Sequence, residues 1–142
     1  MDVFPTRTTM CLQTDPDTLV SVAVELSYSS DDPYAVHCFF PDEPVPVSWT
    51  FGRDLLAAGL ERVCGEGDVR IEPADRQHTW IAISDGDSRG VALLLARTRD
   101  LADFLARTYQ AVPVGTEGRH IDWDACIGHL LNRESGQDSR TA

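Results

Sequence analysis

The chain has 142 residues, 23 of them acidic and 12 basic, for a formal net charge of −11 at pH 7. That length suits one domain, with enough core to fold without a metal or disulfide, and 42% apolar with 25% charged residues is ordinary globular composition. The negative charge disfavours wholesale binding to phosphate backbones or anionic membranes.

All twelve basic residues are arginine, as a high-GC coding sequence would produce. Met1 to Met10 carries Asp2, Pro5 and Arg7 and has no apolar signal-peptide core. No stretch of about 18 apolar residues is present. Cys11, Cys38, Cys64 and Cys126 are widely spaced and form no C-x-x-C pair. The expectation is a cytoplasmic protein with reduced thiols, organised as a single domain over residues 1–135 with a polar, flexible tail over 136–142.

Residues 6–96 read mainly as short strands and 99–132 as helices. Val20, Val22, Val24 and Leu26 alternate with smaller or polar residues, the period of a half-buried strand. Ser29 to Pro33 breaks it with turn formers. Tyr34 to Phe40 resumes the strand, Pro41 to Pro44 stops it, and Val45, Val47, Trp49 and Phe51 alternate again. From Arg53 to Arg62 the period changes to a short helix ending near Gly59, and Val63 to Gly67 reads as a loop. Val69 and Ile71 begin a second strand set. It continues through Thr79–Ser84, an Asp85-Gly86-Asp87 hairpin turn and Gly90–Ala96. Leu101, Phe104, Leu105, Thr108 and Val112 mark a longer helix, with Asp100 and Asp103 at its N-terminal end and Pro113 and Gly115 after it. Asp122 suits the cap of a last helix carrying Cys126, Ile127, Leu130 and Leu131. The count is four strands and a helix, then about three strands and one or two helices: an α+β domain with a possible internal pseudo-repeat.

No catalytic constellation assembles from these residues. His37 and Cys38 are strand neighbours and point to opposite faces. Cys126-x-x-His129 with His120 offers three soft ligands where structural zinc takes four. Gly65-Glu66-Gly67 lacks the third glycine and the lysine of a phosphate loop and reads as a turn. Asp85-Gly86-Asp87 lacks the later bidentate glutamate of a calcium loop. The pairs Asp31-Asp32, Asp42-Glu43 and Asp122 with Asp124 read as solvated turns or caps. Arg89, Arg97, Arg99 and Arg107, taken with Trp49, Phe51 and Trp80, raise a single-strand nucleic-acid platform, against surface arginines paired to neighbouring acids. No metal, cofactor or catalytic residue is assigned.

Four strings in order carry a resemblance: Asp32-Pro33-Tyr34-Ala35-Val36-His37, then Trp49 to Leu60, then Gly67-Asp68-Val69-Arg70-Ile71-Glu72-Pro73, then Val112-Pro113-Val114-Gly115-Thr116-Glu117. Over residues 8–132 the chain resembles the SsgA-like family of actinobacterial sporulation and cell division proteins, with the SsgB-type branch expected. The resemblance implies a non-enzymatic cytoplasmic regulator recruited to division septa. Its implied partners are the tubulin-like division protein FtsZ and a paralogous SsgA-like protein. The implied fold is Whirly-like: α+β, two antiparallel sheets with helices, in pseudo-repeated halves, self-associating as a homo-oligomer such as a trimer. Whirly-type single-stranded nucleic-acid binding is the alternative, by analogy of fold. The family-motif positions are Asp32, Pro33, Tyr34, Trp49, Phe51, Arg53, Asp54, Gly67, Asp68, Arg70, Gly115 and Thr116. They are expected to be structural or partner-binding, with Pro33, Gly67 and Gly115 at turns and Asp54 capping or pairing near Arg53.

Overall fold

A computed structural model of the chain describes residues 5–42, 47–84 and 91–120. In the first half, strands β1 (Thr6–Asp15), β2 (Thr18–Ser27), β3 (Ala35–Phe40) and β4 (Val47–Gly52) lead into helix α1 (Arg53–Gly59). The second half repeats the order, with β5 (Cys64–Glu66), β6 (Val69–Pro73), β7 (His78–Ser84) and β8 (Val91–Arg97) leading into α2 (Thr98–Ala111) and a 3-10 turn, Glu117–His120.

All eight strands belong to one antiparallel sheet, in the order β4-β3-β2-β1-β8-β7-β6-β5. The expectation of two sheets is corrected here. Strand β1 pairs with β2 along its length and also with β8, through Cys11↔Leu95 to Gln13↔Leu93, so the halves are joined by hydrogen bonds into one surface. The sheet curls. Leu12 of β1, Phe40 of β3, Trp49 of β4 and Ile83 of β7 line a common apolar cavity of about 130 Å³. Strands β3 and β4 of the first half therefore face β7 of the second across the concave side.

The alternation read from the sequence puts one face of each strand on that concave side. Along β3, Val36, Cys38 and Phe40 are buried while Ala35, His37 and Phe39 are not, and along β7 Thr79, Ile81 and Ile83 are buried. The helices lie against the core. Leu55 and Leu56 of α1 and Leu101, Phe104 and Leu105 of α2 complete it, and a fully buried leucine or phenylalanine contributes roughly 1.5–3 kcal/mol. Gly59 seats α1 on β6, because a Cβ there would occupy the space of the Ile71 side chain.

One boundary differs from the sequence reading, and the end of α1 agrees with it. Cys64–Glu66, read as a loop, is an edge strand paired through Cys64↔Ile71 to Glu66↔Val69. Its three residues are too few to show a period. Helix α1 ends at Gly59, and the amide of Leu60 donates to the carbonyls of Leu56 and Ala57. The Asp85–Asp87 turn, the helix proposed from Asp122, His129, the Cys126 thiol and the 136–142 tail lie outside the described residues.

Candidate functional site

The alternation of β4 runs on past the strand. Trp49 and Phe51 face the concave side, and two residues later Arg53 does the same, at the first position of α1. Arg53 is 1% exposed. A buried guanidinium needs both a counter-charge and acceptors, and Arg53 finds them at the C-terminal end of α2. Its Nη1 donates to the carbonyl oxygens of Val112 at 2.8 Å and Thr108 at 3.3 Å. The Thr108 carbonyl also accepts the Val112 amide, and Val112 is the residue that follows α2, so Arg53 stands at the C-terminal end of the helix, where the dipole favours a cation. Its Nη2 donates to Glu117 Oε2 at 2.7 Å. The guanidinium carbon lies 4.7 Å from the ring centre of Tyr109 and 5.2 Å from that of Tyr28, cation–π distances.

Glu117 is held in turn. Its Oε1 accepts the Gly115 amide at 3.0 Å, and Gly115 reaches this position with φ +88°, a conformation that suits glycine. The hydrogen bond from Arg53 and the backbone amides lower the Glu117 pKa against a smaller effect of burial. Burial raises Tyr28 and Tyr109 above the usual phenol range, and the Arg53 charge opposes it. The Tyr28 hydroxyl donates to the Pro33 carbonyl at 2.8 Å, and the Arg53 amide donates to the Tyr34 carbonyl at 2.8 Å. One residue thus ties the 29–34 turn, the start of α1, the end of α2 and the segment after it.

The motif positions separate into three groups. Pro33, Arg53, Gly115 and Thr116 belong to this clamp or its turns, with the Thr116 hydroxyl donating to the Pro113 carbonyl at 2.7 Å. Tyr34, Trp49, Phe51, Gly67 and Asp68 line a second feature, an open cleft of about 590 Å³ between β4 and the β5–β6 turn. Leu55, Glu66 and Val69 complete its walls. Tyr34 is 49% exposed there. The remaining positions stand on the surface. Asp32 approaches His37 at 3.5 Å, Arg70 pairs with Glu72 at 3.2 Å, and Asp54 is exposed in the first turn of α1. Asp54 does not pair with Arg53 as expected, because Arg53 is turned inward to Glu117. Glu117 is the residue that sequence reasoning missed. The signal was available: Arg53 shares the parity of Trp49 and Phe51, and a buried arginine requires an acid.

Other candidates resolve simply. His37 is partly exposed, its Nδ1 at 3.0 Å from the Thr50 hydroxyl, while Cys38 is buried and its thiol is pushed up to about 12 by desolvation. Cys11, Cys38 and Cys64 are free thiols. No group of three or more His, Cys, Asp or Glu able to hold a metal occurs among the described residues. Among the described residues the single-strand platform does not assemble: Phe51 is 7% exposed and in the core, Trp49 faces inward, Trp80 is on the outer face beside the Arg70–Glu72 pair, and Arg89 lies outside the described residues. Arg97 pairs with Asp100 at 3.2 Å, and Arg107 donates to the Thr6 hydroxyl. No helix among the described residues is long and apolar enough to cross a membrane.

Residues 22–117, the span from mid-β2 to Glu117, match the family model described as Streptomyces sporulation and cell division protein, SsgA. The chain belongs to the SsgA family. Among its relatives, the sporulation-specific cell division protein SsgB of Streptomyces coelicolor is 47% identical over 113 residues, covering 78% of this chain and 82% of that protein. The protein of the same name from Thermobifida fusca is 42% identical, covering 80% of this chain and 83% of that one. The crystal structure of an SsgA-like sporulation-specific cell division protein from Thermobifida fusca superposes with a TM-score of 0.79 at 38% identity, over 92% of this chain and 96% of that one. A second solved structure, described through SsgB mutations that correlate to longitudinal cell division during sporulation of Streptomyces coelicolor, gives 0.77 at 41% identity, covering 84% and 95%. These relatives tie this SsgA-family chain to cell division during sporulation.

Proposed function

We propose that this protein is a non-enzymatic adaptor of sporulation-specific division that helps place FtsZ at septum sites, together with a paralogous SsgA-like partner. The observation that supports this reading is the similarity to proteins named SsgB over more than three-quarters of the chain. Residues 1–135 act as one SsgA-like domain in this reading. The twice-repeated order of four strands and a helix is taken as a Whirly-type arrangement, whose helices would carry self-association into a homo-oligomer such as a trimer. The exposed motif positions, Tyr34, Asp54 and Asp68 among them, are the partner-facing ones, while Arg53 and Gly115 hold the scaffold. FtsZ is also acidic, so bulk electrostatics oppose the encounter and contact must rest on local features. The test is co-sedimentation with GTP-assembled FtsZ from the same organism over a salt series. Pelleting with the polymer, little changed between low and physiological salt, is expected. Absence from the pellet at every salt concentration would overturn direct recruitment.

A further inference from the structure

Sheet edges invite pairing, and proteins blunt them with charges, prolines, bulges or short strands. The two edges of this sheet differ in that respect. Strand β5 is three residues long and ends in Glu66. Strand β4, Val-Ser-Trp-Thr-Phe-Gly over residues 47–52, has no charge, no proline and an unbroken register with β3 from Ala35↔Gly52 to Phe40↔Val47. Among the described residues no strand lies beyond it.

The hydrogen-bond phase of β4 follows from one contact. The Arg53 amide donates to the Tyr34 carbonyl, so residues 34 and 53 are opposite each other as a hydrogen-bonded pair. Antiparallel pairs alternate. Phe51 and Trp49 therefore spend their backbone groups on β3, while Ser48 and Thr50 turn both of theirs, and Gly52 its amide, outward over the free edge; the Gly52 carbonyl is the N-cap acceptor of α1. The cleft of about 590 Å³ runs along that edge, with Trp49, Phe51, Leu55 and Val69 as apolar floor and Tyr34 at the mouth. Across it, Glu66 and Asp68 bring two carboxylates, and neither has an ion pair among the described residues.

We propose that this cleft captures an extended segment of another protein, added as a strand beside β4, with apolar side chains at alternate positions and an arginine or lysine facing Glu66 and Asp68. Main-chain bonds to Ser48, Thr50 and Gly52 hold the segment, and the floor and the two carboxylates select it. The positive charge follows from complementarity, since no basic residue among those described lines the cleft. The inference stands on the geometry of this cleft and not on FtsZ being the partner: a failed FtsZ co-sedimentation leaves it intact, and a failed peptide titration leaves that reading intact.

The probe is a blocked six-residue peptide alternating valine with arginine, titrated to millimolar concentration into the isotope-labelled full chain, with a valine–glutamate counterpart as control. The expected result is saturable shifts of the Ser48, Thr50 and Gly52 amides, the Trp49 indole and the Gly67 amide from the arginine peptide alone. The Glu66→Gln, Asp68→Asn double variant should bind about three- to tenfold more weakly, as for the loss of one or two exposed ion pairs. Thr50→Pro removes an outward donor, which an edge strand tolerates, and should abolish binding while the Cys38 and Phe39 amides keep their native shifts. Absence of shifts at millimolar peptide, equal shifts from the glutamate peptide, or shifts centred elsewhere would overturn the proposal. So would concentration-dependent shifts of the β4 amides in the protein alone, which would give the edge to a second copy of the chain.

Discussion

Replacing Arg53 by alanine tests the clamp that the fold is built around. The substitution removes a 1% exposed guanidinium and leaves the Glu117 carboxylate, whose side chain is 9% exposed, without its cation. It also removes the donor to the Val112 and Thr108 carbonyls. Breaking a buried pair from one side costs about 3–5 kcal/mol, a large part of the roughly 5–15 kcal/mol that holds a domain together. For a chain of this size the melting temperature should fall by about 10–15 °C. Glu117→Gln keeps one of the two acceptor oxygens, removes the charge and turns an NH2 donor toward either the Arg53 or the Gly115 N–H, at about 1.5–3 kcal/mol. The double alanine variant should be less destabilised than the two single alanine variants summed, with a coupling of about 0.5–3 kcal/mol. Urea unfolding followed by tryptophan fluorescence measures all of these, with unchanged m-values confirming a common unfolded state. A cost under about 1 kcal/mol for Arg53→Ala, or strict additivity, would refute the assignment of Arg53 as the tie between α1 and the end of α2.

Acid should act through the same pair. The folded pKa of Glu117 is lowered, so its contribution is fully present above the unfolded value near 4.3 and is lost as pH falls through the folded value; Glu117→Gln should flatten the stability–pH profile in that window. Two glycines should respond for different reasons. Gly59→Ala forces a methyl onto the Cγ2 and Cβ of Ile71 and should cost about 1–3 kcal/mol by overpacking; Ile71→Ala, which removes the Cγ2, should make the added methyl less costly, whereas Ile71→Val keeps both clashing atoms and should not. Gly67→Ala meets nothing within 4 Å but has φ +61°, so it should cost about 1–2 kcal/mol of backbone strain that Ile71→Ala does not change. A thiol reagent at pH 8 should label partly exposed Cys11 and Cys64 and leave Cys38 unlabelled until urea is added; labelling of native Cys38 at the rate of Cys11 would contradict its burial.

Strand β3 was legible because its alternation runs without interruption, whereas β2 alternates in burial only from Val24 onward and its first four residues, Val20 included, are exposed. Val36, Cys38 and Phe40 are buried between half-buried neighbours, and the period survives in the sequence as apolar against mixed residues. The long helix was legible for the same reason at a different period. What the sequence could not show was closure. Whether β1 pairs with β8 depends on register between residues eighty or more positions apart, and nothing local distinguishes one eight-stranded sheet from two of four. The cleft was half visible: Tyr34, Trp49, Phe51, Gly67 and Asp68 were singled out as strings, but their meeting across the ends of the sheet follows from the curl. The parity of Arg53 called for an acid but did not single out Glu117, which is 64 residues away and stood in the sequence only as the end of the fourth family string.

The clamp and the cleft share a backbone. Gly52 and Leu55, which line the cleft, flank Arg53, and the carbonyl that receives the Arg53 amide belongs to Tyr34 at the cleft mouth. Rotating the Arg53 side chain out of the core would therefore disturb the β3–β4 register where the cleft is formed, at the same step that frees the 112–117 segment from α2. The coupling has a direction. Substitutions in the cleft, such as Asp68→Asn, touch no atom of the clamp and should leave the stability of the α2 end unchanged. Loss of Glu117 should loosen the 112–117 segment first and reach the cleft only through Arg53. Hydrogen exchange reads both ends together: in Glu117→Gln, protection should fall at the Val112 amide, which bonds the Thr108 carbonyl, more than at Trp49 and Phe51, whose amides are bonded to β3. Equal loss at both would mean that the clamp and the cleft open as one unit.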